Sequence, residues 1–376
     1  MNKIHYIFFT ITFALKAFID VIFVANDINK FNNTKYIFMV CAIILLWIDK
    51  KFNEKKNGKK EQIFLKEYIN IIIIILLFLF ISMICILISG YYTTETVKEI
   101  FYLSIAPTYA FLLLNTISKK EMDLYFSTLL LCFGGAYSIE IFNELVSGKF
   151  ELISFYDSYS PFESSFMAGP AMSLFIYFLY KKNRIKEIIS FIFVFMTFKR
   201  LSLVFAILLI ILSNIWDLSK KVNIKTINFL KIFFILMPIF IYFFLREPYI
   251  SEINRQFNID IDKILMGRSS ILNSVIATGF NSYGYGSTTI VVKKLYPWAG
   301  NLHLDLVKIF METSIVGLIV FVNNLWNIAG RNRFAIVVLL FEFLNLLTSH
   351  SLSGPFSWIM TYLIIGSISR DNCVKE

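Results

Sequence analysis

The chain has 376 residues, of which 57% are hydrophobic and only 16% charged, with a formal net charge of +10. A soluble domain carries roughly 25% charged residues, so this composition excludes an ordinary soluble fold and implies a surface that mostly faces lipid. The positive charge is no sign of a nucleic-acid partner, because its placement along the chain accounts for much of it.

The first apolar stretch, Ile4 to Ala25, is too long for a signal-peptide core and contains Lys16 and Asp20. No small-residue cleavage site follows it convincingly, so it reads as an uncleaved first helix. Further apolar runs lie near 36–48, 69–89, 100–114, 124–145, 167–180, 187–198, 201–216, 232–245, 306–326, 334–348 and 356–369. A hydrocarbon core of about 30 Å takes roughly 20 apolar residues per helix, so the chain has room for about twelve spans, with 187–198 and 334–348 short. Over such lengths, without a barrel's alternation, only helices satisfy the backbone in lipid. The expected fold is therefore an all-α polytopic membrane protein. Spans 1 to 9 occupy residues 1–245, a large loop occupies 246–305, and the last three spans with a tail occupy 306–376.

Lysine and arginine placement sets the orientation. Lys50, Lys51, Lys55, Lys56, Lys59, Lys60 and Lys66 fall in one loop, and Lys119, Lys120, Lys181, Lys182, Arg184 and Lys186 fall in later loops on the same side. Lys220, Lys221, Lys225, Lys231, Arg331 and Arg333 continue the pattern. That side is the cytoplasm, and with an even number of spans both termini lie there. The opposite loops are short apart from 146–166 and the sixty-residue loop 246–305. A loop of that length is usually functional or disordered. This one carries aromatic and aliphatic residues throughout, so it is expected to fold against the membrane, with amphipathic helices around 249–257 and 268–278. The cysteines Cys41, Cys85, Cys132 and Cys373 have no metal-type spacing and suggest no disulfide. There is no internal repeat.

The candidate site residues lie at the outer face. Arg268 is separated by ten residues from Gly279, which opens the glycine-rich stretch through Tyr283, Gly284 and Gly286. A guanidinium donates two parallel hydrogen bonds to a diphosphate, and glycines let backbone N–H groups approach the same anion. An interfacial arginine paired with a headgroup phosphate would look the same. His303, close after Asn301, sits where the long loop re-enters the membrane, and imidazole takes a proton near neutral pH. Glu312 falls inside a span, where an ionisable group is expensive and marks a candidate site; the bland alternative is an i,i+4 pair with Lys308. Lys199 and Arg200 lie on the outer side between two short spans, against the basic-inside pattern. An anionic ligand would explain them, as would snorkelling to lipid phosphate. Glu140, Glu144 and Glu163 are outer acids that can bind sugar hydroxyls or orient the arginines, or simply be solvated. Glu342 is a further charge within a span, with no explanation in the sequence. Asp260-Ile-Asp262 is discounted as a metal–nucleotide motif because nucleotide sugars are cytoplasmic. No metal-ligand cluster and no Walker loop are present, so no metal or cofactor is expected and the energy must come from the substrate.

These residues resemble the Wzy-type O-antigen polymerase and O-antigen ligase superfamily. The likeness covers most of the chain in architecture and three places in detail. These are Phe198-Lys199-Arg200-Leu201 between two spans, Arg268 with Gly279, and His303 through Glu312 to Gly317. In the third, Ser314-Ile-Val stands where the family has a glycine-aliphatic start, and a second arginine-x10-glycine loop is missing. The resemblance implies a GT-C-like fold with one large periplasmic loop in the bacterial inner membrane. It also implies a metal-independent inverting glycosyltransferase. The donor would be a growing glycan on undecaprenyl diphosphate, the acceptor a lipid-linked repeat unit, and a chain-length regulator a partner. Arg200 and Arg268 would hold the diphosphate, His303 would take the acceptor's proton, and Glu312 or Glu163 would orient them, with Lys199, Glu140, Gly279, Tyr283 and Asn301 lining the substrate. Two other classes stay open. A ligase would pass the glycan to lipid A core, and a flippase would move the lipid-linked oligosaccharide, although transporters usually show repeated halves.

Overall fold

The computed structural model describes residues 3–19, 33–57, 62–146, 165–197 and 199–373. Among them the chain is helical, with one isolated β-bridge, Lys221 to Asn332. In chain order the helices are α1 (Lys3–Phe18), α2 (Thr34–Asn57), α3 (Leu65–Ser89), α4 (Thr94–Thr116), α5 (Lys119–Val146) and α6 (Ser165–Tyr180). Next come α7 (Arg184–Met196), α8 (Arg200–Ile215), α9 (Ile224–Phe244), α10 (Tyr249–Phe257) and α11 (Ile261–Ile264). The chain ends with α12 (Arg268–Ala277), α13 (Ser287–Leu295), α14 (Asp305–Asn327), α15 (Arg333–Thr348) and α16 (Pro355–Cys373).

The described part of each apolar run falls on one of α1–α9 or α14–α16, with residues 20–25 of the first run and Phe198 outside the described residues. Helices also stand at both places where amphipathic ones are expected, α10 and α12, but only α10 is strongly amphipathic. Among the described residues, four helices, α3, α4, α5 and α9, are long and apolar enough to cross a membrane, while α6 and α8 are shorter apolar helices. This is the pattern of an all-α membrane protein. On α3, Leu76, Phe80 and Leu87 are 59%, 58% and 79% exposed, a display of apolar surface that fits lipid rather than water. The helix-interior prolines Pro107, Pro170 and Pro238 are of a kind that spanning helices tolerate.

The chain divides into two units. The first comprises Met1–Leu65, Ala106–Lys220 and Phe356–Glu376, and the second Lys66–Ile105 and Lys221–Pro355. In the first, α1 packs on α2 and α5, and α6 packs on α5, α7 and α8. An aromatic cluster holds it together. Phe13 lies 5.3 Å, centroid to centroid, from Phe356 and 6.3 Å from Phe133, and Phe126 stacks on Tyr177 at 3.6 Å. In the second, α14 packs on α9, α15 and α13, and α12 packs on α11 and α13. The segment between α9 and α14 has its own apolar core, in which Leu272 and Val275 of α12 meet Val292 of α13, Leu302, Leu304 and Val307. Burying a side chain of this kind stabilises by about 1.5–3 kcal/mol, so this segment is folded rather than a connecting loop. Its capping is local. Gly267 takes φ +80°, and Asp262 accepts the Ser270 N–H at 3.0 Å and the hydroxyls of Ser269 and Ser270. Burial works against the ionised Asp262, but these hydrogen bonds outweigh it and hold the carboxyl below its ordinary value.

α13 begins at a crowded place. A Cβ on Gly284 would lie 2.8 Å from the Ser82 Cα, and one on Gly286 would lie 3.2 Å from the Glu95 backbone, so both positions need glycine for close approach as well as for their positive φ. α14 is broken at Ser314, which has φ 65° and ψ −178°. Its hydroxyl accepts the Val316 N–H at 3.3 Å, and the Glu312 carbonyl is taken by the Ser282 hydroxyl at 2.7 Å.

Candidate functional site

The second unit holds most of the candidate residues. Arg268 is the first residue of α12, and its Nη1 donates to the Leu265 carbonyl at 3.1 Å. His303 sits in the turn before α14 with φ 56°, and its Nε2–H donates to the Ala299 carbonyl at 3.1 Å. Because α12 and the flanking Leu302 and Leu304 share one core, the fold brings Arg268 towards His303. Burial pulls the His303 imidazole below its ordinary value. The charge of Arg268 acts in the same direction, while the Ala299 hydrogen bond and Asp305 oppose it. Burial thus favours the neutral form of the His303 imidazole.

Beside it stands an arrangement that the sequence does not announce. His350, in the connection between α15 and α16, has its ring centroid 6.2 Å from that of His303. Its Nδ1–H donates to Asp305 Oδ1 at 2.7 Å, and its Nε2 accepts from the Ser353 hydroxyl at 2.5 Å. Asp305 is 1% exposed, and its second oxygen accepts the Ser351 and Leu352 N–H groups, both at 2.7 Å. Fixed by three hydrogen bonds, the carboxylate sets the tautomer of His350 so that Nε2 carries the lone pair.

The other candidates have structural partners. Glu312 accepts from Gly286 N–H at 2.8 Å, Thr288 N–H at 2.7 Å and the Thr288 hydroxyl at 2.6 Å. It thus caps the N-terminus of α13, where a helix dipole favours an anion. The Lys308 ammonium goes to Glu99 of α4 rather than to Glu312 as its ion-pair partner. Thr289 Oγ1 joins that pair, and Asn301 Oδ1 lies 3.0 Å from the same hydroxyl. Tyr283 packs on Tyr91, centroids 5.0 Å apart. Gly279, with φ +68°, borders a cleft of about 670 Å³ with Tyr242, Phe280, Phe310, Met311 and Ser314.

Lys199 and Arg200 belong to the first unit, as N-cap and first residue of α8, and both are half-buried. Glu140 lies in the same unit on α5. Glu163 falls outside the described residues. Asp260 and Asp262 are both occupied as local caps, Asp260 accepting the Lys263 N–H at 3.0 Å. Among the described residues no group of three or more histidine, cysteine, aspartate or glutamate side chains is arranged to hold a metal ion.

No family model, no curated protein and no solved structure matches this chain. Sequence reasoning passed over the pairing of Asp305 with His350 and that of Lys308 with Glu99. The signal for His350 was its place in a short polar segment, Thr348 to Ser353, between two apolar runs.

Proposed function

We propose that the chain is a polysaccharide polymerase of the bacterial inner membrane. It transfers a growing glycan from undecaprenyl diphosphate to the next lipid-linked repeat unit at the periplasmic face. The observation that carries the reading is the approach of Arg268 to His303 on a folded segment between α9 and α14, the two residues that the sequence singled out on independent chemical grounds. In this reading α1–α9 and α14–α16 are twelve spans of a GT-C-like bundle with both termini cytoplasmic, and α10–α13 form the periplasmic segment.

The chemistry follows. Arg268 binds the diphosphate and stabilises the charge that develops on it as the anomeric C–O bond breaks. The acceptor hydroxyl attacks the anomeric carbon from the opposite face, which inverts the linkage, and an imidazole takes its proton. Glu312 acts indirectly, by fixing α13 against α14, and a chain-length regulator is the expected protein partner.

The test is the surface-polysaccharide banding of a deletion strain. A polymerase deletion leaves single repeat units on the lipid A core or on the cell surface. Long chains stranded on the carrier lipid would assign the protein as a ligase instead, and unchanged banding would refute both. Complementation with Arg268→Ala or His303→Ala should fail to restore the ladder while membrane levels of the protein stay normal.

A further inference from the structure

The proton-accepting imidazole need not be the one that the sequence favours. Two histidines face this region, and they are held differently. His303 is oriented by a neutral carbonyl and lies under the charge of Arg268, which opposes its protonation. His350 is oriented by a buried carboxylate that is itself fixed by two backbone N–H groups. An aspartate in that position stabilises the imidazolium that forms when the ring takes a proton, and a carbonyl does so far less. The lone pair on His350 Nε2 is directed at a hydroxyl, that of Ser353, at 2.5 Å.

We propose that His350, held by Asp305, is the general base of the transfer, and that His303 with Arg268 is a binding pair for the substrate. The assignment rests on the polymerase reading above. The acceptor sugar hydroxyl takes the place of the Ser353 hydroxyl on Nε2. As its oxygen forms the bond to the anomeric carbon, its proton passes to Nε2, and the bond to the diphosphate breaks with the electron pair leaving on the diphosphate oxygen. Nδ1–H stays on Asp305, and the imidazolium then loses its proton to solvent. The 6.2 Å between the two rings is a separation that one sugar ring bridges, so an acceptor on His350 and a diphosphate beside Arg268 and His303 can occupy adjoining positions.

The experiment uses the full chain in lipid vesicles, with undecaprenyl-diphosphate-linked repeat units extracted from cells lacking the protein. His350→Asn keeps a donor to Asp305 and removes the base, so folding should survive, as read by the melting temperature of the purified protein. Elongation should fall about 10²–10⁴-fold in kcat with little change in KM. Asp305→Asn, which releases the tautomer, should also lower kcat rather than raise KM. His303→Asn should act mainly on KM. Elongation by folded His350→Asn at the rate of the unaltered protein, with His303→Asn losing kcat instead, would return the base role to His303 and leave the polymerase reading standing. No elongation by the unaltered protein would overturn both. Ser353→Ala should stay within tenfold of the unaltered protein. A loss as deep as that of His350→Asn would mark Ser353 as a nucleophile and overturn the base assignment.

Discussion

Lys308 of α14 and Glu99 of α4 form an ion pair in which both side chains are almost fully buried, at 2% and 5% exposure. The Thr289 hydroxyl completes it, accepting from Lys308 Nζ at 2.9 Å and donating to Glu99 Oε1 at 2.5 Å. The two charges are separated by 209 positions in the chain, so the pair fixes α14 against α4 within the second unit.

Removing one partner strands a buried charge, which typically costs 3–5 kcal/mol, whereas replacing both by apolar residues of similar volume is often neutral. Glu99→Leu and Lys308→Met should each destabilise the protein by about that amount, and the double variant by much less than their sum. Thermal melting in detergent checks this, and an additive double variant would show that the pair contributes no coupling.

Glu312 satisfies the N–H groups of Gly286 and Thr288 where α13 starts against Ser82 and Glu95. An unsatisfied buried donor costs about 1–3 kcal/mol, so Glu312→Ala should lose several kcal/mol of stability, with Glu312→Gln intermediate because its amide oxygen still accepts. If Glu312→Ala melted like the unaltered protein while elongation vanished, the carboxylate would have a direct role in the chemistry.

Ser314 adopts φ 65° and ψ −178°, a region that is essentially restricted to glycine and costs other residues of order 1–3 kcal/mol. Ser314→Gly removes that strain and loses one long hydrogen bond to the Val316 N–H, worth about 0.5–1 kcal/mol. The relief is the larger effect, so the variant should be more stable by about 1 kcal/mol. Ser314→Val should be destabilised by more than that, and melting curves decide both.

His303 has a pKa below the ordinary imidazole value in the folded protein. As pH falls through about 6.5 the unfolded chain takes up a proton that the folded chain refuses. Stability should therefore decline on acidification from neutral pH, and level off for this group once the pH is below the folded pKa. His303→Gln should flatten that part of the profile in melting measurements from pH 7.5 to 5. An equal slope in both proteins would show that His303 is not responsible.

Local information set the helices. Runs of apolar residues close their hydrogen bonds within four positions, so α1–α9 and α14–α16 follow from segments read one at a time, and α10 follows from its amphipathic spacing. Candidate residues were legible where a single side chain breaks a local rule, as Arg268 and His303 do. Partnerships were not. The sequence offers Lys308 the near Glu312, at the helical i,i+4 spacing, but the fold gives it Glu99 and gives Glu312 to α13. The same holds for Asp305 and His350, 45 positions apart and joined through the loop after α15. Spacing can show which groups share a helix face, but which distant carboxylate neutralises a buried cation or fixes an imidazole depends on the packing of whole helices, and no window of the sequence contains it.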